Sequence, residues 1–474
     1  MTMQKRPNLV FIVPDEFRAQ AMGFRGEDPV ITPNLDRLAG ESLAFNRAYS
    51  NSPVCSPYRG ILFTGKYPYE NGVITNCNSG NPDCYLRAEE ICLPDVLHEN
   101  GYHCGYIGKW HLECPQEEDY PYLPPRRWDG NIWDAYTPKE RRHGFTFWHS
   151  YGCCDNHLEP HYWETDAEAK DCLQVKQWAP EHETDVAVEY IQNADTEEPF
   201  ALFIAHNPPH MPFEMVPDNY LDIYRDKPAE ELLNRPNVAS GEKGERARHS
   251  VQQYFAAISG LDEQLGRVLE AIDKKGIRDN TIVIYTSDHG EMMGSHGRME
   301  KNSYYAESFQ IPLLIRYPEK IQPRRTDMLI STVDLMPTIL TMLGLEDKIP
   351  AGLRGQNAGH AILENRDGDI AHALYHHTTI SRGFKEDRYT FVIHHEEDDK
   401  KRPLEAVLLD DKKDPYQMEN IAAKEPELVR EFTERLAGLL EECSDPFAGE
   451  VREFLKTLDD KNGDRADTKD PQGL

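Results

Sequence analysis

Asn8-Leu9-Val10-Phe11-Ile12-Val13, stopped by Pro14-Asp15-Glu16, is the stretch from which the fold of this 474-residue chain is read. It is a continuous β-rich apolar run with no period-two alternation, the pattern of a strand buried on both faces of a parallel sheet. Three more runs have the same character. Residues 102–108 end in Lys109-Trp110-His111, residues 199–205 end in His206-Asn207-Pro208-Pro209-His210, and residues 281–286 end in Ser287-Asp288-His289-Gly290-Glu291. Residues 311–315 read as one further strand. Helical patterns separate them: one after Thr32-Pro33 with threonine as N-cap, others at 93–100, 184–193 and 332–343. The longest carries Val251, Tyr254, Phe255, Ile258, Leu261, Leu265, Val268, Leu269 and Ile272 on one face until Gly276. Strands alternating with helices predict an α/β fold, a large, mixed and mostly parallel sheet sandwiched by helices.

The character changes near residue 368. Residues 380–394 and 405–410 read as antiparallel strands and 425–440 as an amphipathic helix, so the expected division is a catalytic domain, 1–368, and a smaller C-terminal α+β subdomain with a short antiparallel sheet, 369–474. The charged residues from about Asp459 lack a periodic apolar face and are expected to fray.

Lys+Arg number 52 against 82 Asp+Glu, a formal charge of −30 that argues against nucleic acid or an anionic membrane surface as partner. An anionic substrate then needs a locally basic pocket. No apolar run approaches the ~20 residues of a membrane span, and residues 9–13 are too short for a secretory signal. A cytoplasmic location is therefore expected for the sequence as written, with a periplasmic or secreted one if a leader precedes it. Cys77, Cys84 and Cys92 lack paired C-x-x-C spacing, so the ten cysteines read mostly as core thiols.

In open α/β sheets ligands bind beyond the carboxyl ends of the strands, and four such ends here carry ionisable groups. Asp15, Glu16 and Asp288, with His289 beside the last, offer ligands for a divalent cation. Lys109, His111 and His210 offer charge or hydrogen bonds to a small anion. Arg59 belongs to the same set through Cys55-Ser56-Pro57-Tyr58-Arg59-Gly60, where Pro57 marks a helix start and Arg59 returns toward Cys55 one turn on. A metal beside a basic cup suits nucleophilic displacement at the sulfur or phosphorus of an ester. Between residues 114 and 178 periodicity fades, and all six tryptophans fall between Trp110 and Trp178. Arg126, Arg127, Trp128, Trp133, Arg141, Arg142, Asn156, His157 and His161 crowd this segment. Arg126, Trp128, Asn156 and His157, together with His206, are the candidate substrate contacts.

These residues resemble a known family. Cys55-Ser56-Pro57-Tyr58-Arg59 matches the C-x-P-x-R signature of the formylglycine-dependent sulfatases of the alkaline phosphatase superfamily, and Leu62-Phe63-Thr64-Gly65-Lys66 continues the pattern. Gly108-Lys109-Trp110-His111, Pro209-His210-Met211-Pro212, Ser287-Asp288-His289-Gly290-Glu291, Lys301 with Tyr305, and Asp414-Pro415 to Asn420 extend the resemblance over nearly the whole chain. It implies an alkaline phosphatase-like fold and the conversion of Cys55 by a maturation enzyme to Cα-formylglycine, whose hydrate is the nucleophile. It implies one divalent cation, calcium first with magnesium or manganese as alternatives, bound by Asp15, Asp288, His289 and Glu16 next to residue 55. Arg59 and Lys109 would orient the diol and the metal ligands, His111 assist at the diol, and Lys301 and His210 hold the sulfate, one of them protonating the leaving alcohol. Glu16 stands where the family commonly has a second aspartate, and His289 where some members have asparagine. The implied reaction is hydrolysis of a sulfate monoester, of a sulfated carbohydrate before an aryl sulfate. The alternatives are a phosphonate monoester or phosphodiester hydrolase of the same superfamily, and a non-catalytic binding protein on this fold.

Overall fold

The computed structural model describes residues 6–115, 127 and 129–467, with side chains through residue 459. The chain divides into two compact units, Met1–Ile370 and Ala371–Leu474.

The first unit is built on strands β1 (Asn8–Ile12), β2 (Leu43–Tyr49), β3 (His103–Lys109), β4 (Phe147–Tyr151), β5 (His161–Glu164), β6 (Leu173–Gln174), β7 (Phe200–Ala205), β8 (Thr281–Thr286), β9 (Gln310–Ile311), β10 (Leu313–Arg316) and β11 (Arg324–Ser331). They form one sheet in the order β11-β2-β10-β8-β1-β7-β3-β4-β5-β6, with β9 pairing on β2. The centre, β8-β1-β7-β3-β4, is parallel throughout. In register, Ile12 lies between Ile204 and Tyr285, and Gly108 pairs with Ala205, so the strands end level and their following loops share one edge.

Alternate residues of β1 enter two separate cores. Leu9, Phe11 and Val13 pack with Tyr58, Leu62 and Phe63 and with Leu335, Met336 and Ile339. Val10 and Ile12 pack on the other face with Val251, Phe255, Ile258 and Leu265. Burial on both faces is why the run shows no alternation.

Several expectations change. Residues 311–315 are not one strand, because Pro312 lacks the N–H that a continuous ladder needs and divides β9 from β10. β2, β11 and the short β4 to β6 were not anticipated: Asn46 and Arg47 interrupt the first, arginines and Asp327 the second, and the last three are brief strands at a sheet edge. The helix Pro33–Gly40 is not capped by Thr32, whose hydroxyl donates to Asp36 (3.0 Å). Its first N–H groups donate instead to the Asp262 carboxylate of helix Glu245–Lys275, from Asn34 (3.0 Å) and Leu35 (2.7 Å).

The second unit holds an antiparallel sheet, β12 (Ala373–His377), β13 (Ser381–Lys385), β14 (Tyr389–His395) and β15 (Leu404–Asp410), with helices Pro426–Glu442 and Ala448–Asp467. Residues 380–394 hold a hairpin, β13 and β14, that turns at residues 386–388. The tail expected to fray has a helical backbone as far as Asp467. Among the described residues no helix is long and apolar enough to cross a membrane.

Candidate active site

The ladder of β1 and β7 runs past its formal end, with Asp15 N donating to His206 O (2.9 Å), and this fixes Asp15 on the sheet edge. Cys55 is the first residue of helix Cys55–Thr64, after an extended Val54, and every residue of that helix is buried. One donor atom each from Asp15, Cys55, Asp288 and His289 lies within 4.8 Å of the others. Cys55 Sγ is 3.3 Å from His289 Nε2 and 3.5 Å from Asp15 Oδ1. His289 Nε2 is 3.5 Å from Asp15 Oδ1 and 3.6 Å from Asp288 Oδ1. His289 Nδ1 donates to Gly290 O (3.0 Å), which leaves the Nε2 lone pair aimed at two carboxylates and a sulfur. Lone pairs converging without exposure to water fit a cation between them.

The surrounding cations compensate the acids. Arg59 Nη2 lies 3.2 Å from Asp15 Oδ2 and 3.4 Å from Asp288 Oδ2, and Nη1 donates to Lys109 O (2.6 Å). Lys109 Nζ is 2.8 Å from Asp15 Oδ2 and 3.7 Å from Cys55 Sγ, and donates to Asn207 Oδ1 (3.0 Å). Burial pushes the Asp15 carboxyl up, but Lys109, His210, His289 and Arg59 together hold it well below the usual carboxylate range. Asp288 is raised by burial and by the neighbouring Asp15. One of the two adjacent carboxylates thus takes most of the cationic contact.

Glu16 sits apart from the four-residue cluster. Its backbone N–H donates to Asp288 Oδ1 (3.0 Å), and its φ of 66° turns the chain. Its longer side chain carries Oε2 to Lys301 Nζ (3.3 Å) and His210 Nε2 (3.5 Å). Burial, against the pull of Lys301, holds the Glu16 carboxyl well above the usual carboxylate range, and a Glu16 oxygen also lies within 4.8 Å of ligand atoms of Asp15 and His210. Lys301 Nζ donates to His210 Nε2 (2.6 Å), and His210 Nδ1 donates to Met211 O (2.6 Å). Burial, then Lys301 and Lys109, hold His210 well below its ordinary range, so it is neutral. Burial alone would lower Lys301, but Cys55, Glu16, Asp15 and Asp288 hold it well above the usual range, so it is charged. His111, at φ 52°, donates from Nε2 to Cys77 O (3.1 Å), and burial lowers its pKa against the pull of Cys55.

Two contributors escaped the sequence reading. Asn207 holds Lys109, and its only signal was its place between His206 and His210. Glu291 closes the loop that bears Lys301, its Oε1 accepting from Met293 N (2.7 Å) and Glu300 N (2.8 Å). That loop holds Met293, His296, Glu300 and Asn302 at positive φ, a strained path that the buried carboxylate stabilises.

The proposed substrate contacts are only partly placed here. His206 Nδ1 pairs with Glu183 (2.6 Å), which also accepts from Tyr151 and Tyr162, so it serves the core beneath the site. Asn156 is exposed and accepts from Glu159 N (3.3 Å) in a surface turn. Arg126 and Trp128 lie outside the described residues. His157 is buried, its Nε2 at 3.3 Å from Met211 O, and burial pushes its pKa down to about 4. Between pH 6.5 and 4 the unfolded chain binds a proton there that the folded chain refuses, so stability falls as pH falls through that window. His157→Gln is expected to reduce the loss of stability between pH 7 and pH 5 by about 2 kcal/mol, read by denaturant titration at both pH values. An acid limb unchanged from wild type would refute this role.

Strand ends and adjoining segments that bring a cluster of possible metal ligands and the cations Arg59, Lys109 and Lys301 to one sheet edge fit an ester hydrolase of the alkaline phosphatase superfamily. The Sulfatase family matches residues 7–345, and the C-terminal region of N-sulphoglucosamine sulphohydrolase matches residues 294–443. This chain belongs to the sulfatase family and is a sulfuric ester hydrolase. It is 40% identical to the endo-4-O-sulfatase of Bacteroides thetaiotaomicron, over 94% of this chain and 93% of that protein. It is 33% identical to the ulvan-active sulfatase of Formosa agariphila, over 93% and 82% respectively. A solved structure, YidJ of Bacteroides fragilis, superposes with a TM-score of 0.90 at 39% identity, covering 95% of this chain and 99% of that one.

Proposed function

We propose that this chain removes sulfate from a sulfated glycan, and that its nucleophile is the formylglycine hydrate derived from Cys55. The observation that carries the reading is the placing of Cys55 Sγ within 3.7 Å of Asp15, His289 and Lys109 together, at the start of a buried helix. The similarity to two glycan-directed sulfatases supports the substrate class. Conversion of Cys55 by a maturation enzyme would supply a geminal diol, one hydroxyl to attack sulfur and the other to expel sulfate by restoring the aldehyde. Asp15, Asp288 and His289 would hold a divalent cation, calcium first for the carboxylate oxygens, which when bound supplies Lewis-acid charge stabilisation at the sulfuryl group.

The protein's own residues supply the rest. Arg59 and Lys109 fix the carboxylates and keep the buried site near neutral. His111, with Nδ1 as acceptor, is set to take a proton from the residue at position 55. Lys301 and His210 face the sulfate. Because His210 Nδ1 is committed to Met211 O and its Nε2 accepts from Lys301, Lys301 holds the proton that passes to the leaving alcohol.

The test compares sulfate release from sulfated oligosaccharides and from an aryl sulfate by protein co-expressed with a maturation enzyme. The expected result is a kcat/KM at least ~10²-fold higher on a sulfated oligosaccharide, the value of several sugar contacts. Release from the aryl ester but from no sulfated sugar would overturn the substrate class.

A further inference from the structure

Among the described residues of the segment that lost periodicity, Trp133 and Arg127 lie at the mouth of the site. Trp110, Trp148, Trp163 and Trp178 are buried, whereas Trp133 keeps exposed surface, alone among the described tryptophans. Arg141 is taken by Glu113 and Leu86 O, and Arg142 by the carbonyls of Thr137 and Thr165. Arg127 is different. Its guanidinium lies 4.7 Å above the Trp133 ring, and Nη2 meets Asp155 Oδ2 (2.6 Å) and Cys153 O (3.3 Å). Its Nε and Nη1 carry no hydrogen-bond partner among the described residues.

These side chains link the two histidines of the site. The Trp133 ring is centred 6.0 Å from that of His111, and Asp155 Oδ1 is 3.9 Å from His210 Nδ1. The series His111, Trp133, Arg127, Asp155, His210 thus forms a continuous lip beside the reacting position. It is rigid before any ligand arrives: Trp133 Nε1 donates to Asp129 Oδ2 (2.9 Å), and Asp129 is itself held by Asn131 N (3.0 Å) and Nδ2 (3.1 Å). A fixed, half-exposed indole stacks on the C–H face of a sugar at little entropic cost. A guanidinium oriented by Asp155, with Nε and Nη1 unpartnered among the described residues, suits bidentate pairing with a carboxylate or sulfate. On a chain of formal charge −30, such an edge is a local exception.

We propose that Trp133 and Arg127 form a subsite for the saccharide next to the sulfated sugar and select a neighbour bearing an anionic substituent. This rests on the glycan reading above and adds to it the charge of the adjacent unit. The experiment measures binding by calorimetry to protein with unconverted Cys55, so that no turnover is needed. The ligands are a sulfated disaccharide containing a uronic acid, the same disaccharide with its carboxyl reduced to an alcohol, and one with a second sulfate in place of the carboxylate. Arg127→Gln should weaken the uronate ligand at least ~10-fold and the reduced ligand less than ~2-fold, the loss of one charge-assisted pair. Its effect on the doubly sulfated ligand tells which anion the edge prefers. Trp133→Ala should weaken all three at least ~10-fold and Trp133→Phe by less, which separates stacking from misfolding. Failure of the wild type to bind any of them, equal losses for uronate and reduced ligands with Arg127→Gln, or unchanged affinity in Trp133→Ala would overturn the subsite. Matured wild type that releases sulfate from no ester would instead overturn the glycan reading, whichever way the binding result falls.

Discussion

Cys55→Ser should fold normally, keep the Asp15, Asp288 and His289 arrangement, and lose at least ~10⁴-fold in steady-state turnover. The side chain is buried at a helix start, so a serine of similar size leaves the backbone and its neighbours in place. What it lacks is the second hydroxyl. A serine attacking sulfur would form a sulfate ester with no internal group to expel it, and the site would stop after one cycle. The measurements are kcat on a sulfate ester, product formed in the first turnover, and thermal stability beside wild type. Mass analysis of the peptide holding residue 55 in the wild type completes the set, since conversion exchanges H₂S for one oxygen. A variant with near wild-type turnover would sink the assignment of residue 55. A stoichiometric burst followed by arrest would support it strongly.

Lys301→Ala is expected to lower kcat by roughly 10³-fold on a sugar sulfate, the scale of losing an electrostatic and proton-donating group together. Lys301 is mostly buried, pinned by Glu16 and His210, and held charged by the acids around it. Its proton is needed most when the leaving oxygen is a poor one. The loss should therefore be at least ~10-fold smaller on an aryl ester with an acidic phenol, whose leaving group departs unprotonated. Equal losses on both substrates would show that Lys301 only binds sulfate and would refute its role as acid. Glu16→Gln should fall between wild type and Lys301→Ala, because it alters the side chain facing Lys301 but keeps the cation.

The sheet was legible because its central strands are buried on both faces, a condition that writes itself as unbroken apolar runs such as Leu9 to Val13 and Phe200 to Ala205. Strands away from that centre carry no such signature. β2, with Asn46 and Arg47, and β5, with four residues, are stabilised by neighbours that a local window does not contain. Capping failed in the same way: Thr32 has the right chemistry for a helix start, but Asp262, more than two hundred residues later, takes the N–H groups.

By itself the sequence determined the kind of chemistry. Residue types at strand ends, and the spacing of Cys55 to Arg59, are local properties, and they name the cluster of acids, the cations and the cysteine at a helix start. Only the tertiary structure decided how those groups divide the work. That Glu16 turns one oxygen to Lys301 while lying near Asp15 and His210, and that His206 Nδ1 pairs with Glu183, is visible only once the strands are assembled. Trp133 was one of five tryptophans in a segment without periodicity, and what distinguishes it is the position of His111 and Arg127 around it. Burial and direction are set by contacts distant in sequence, so they enter only when the strands are assembled.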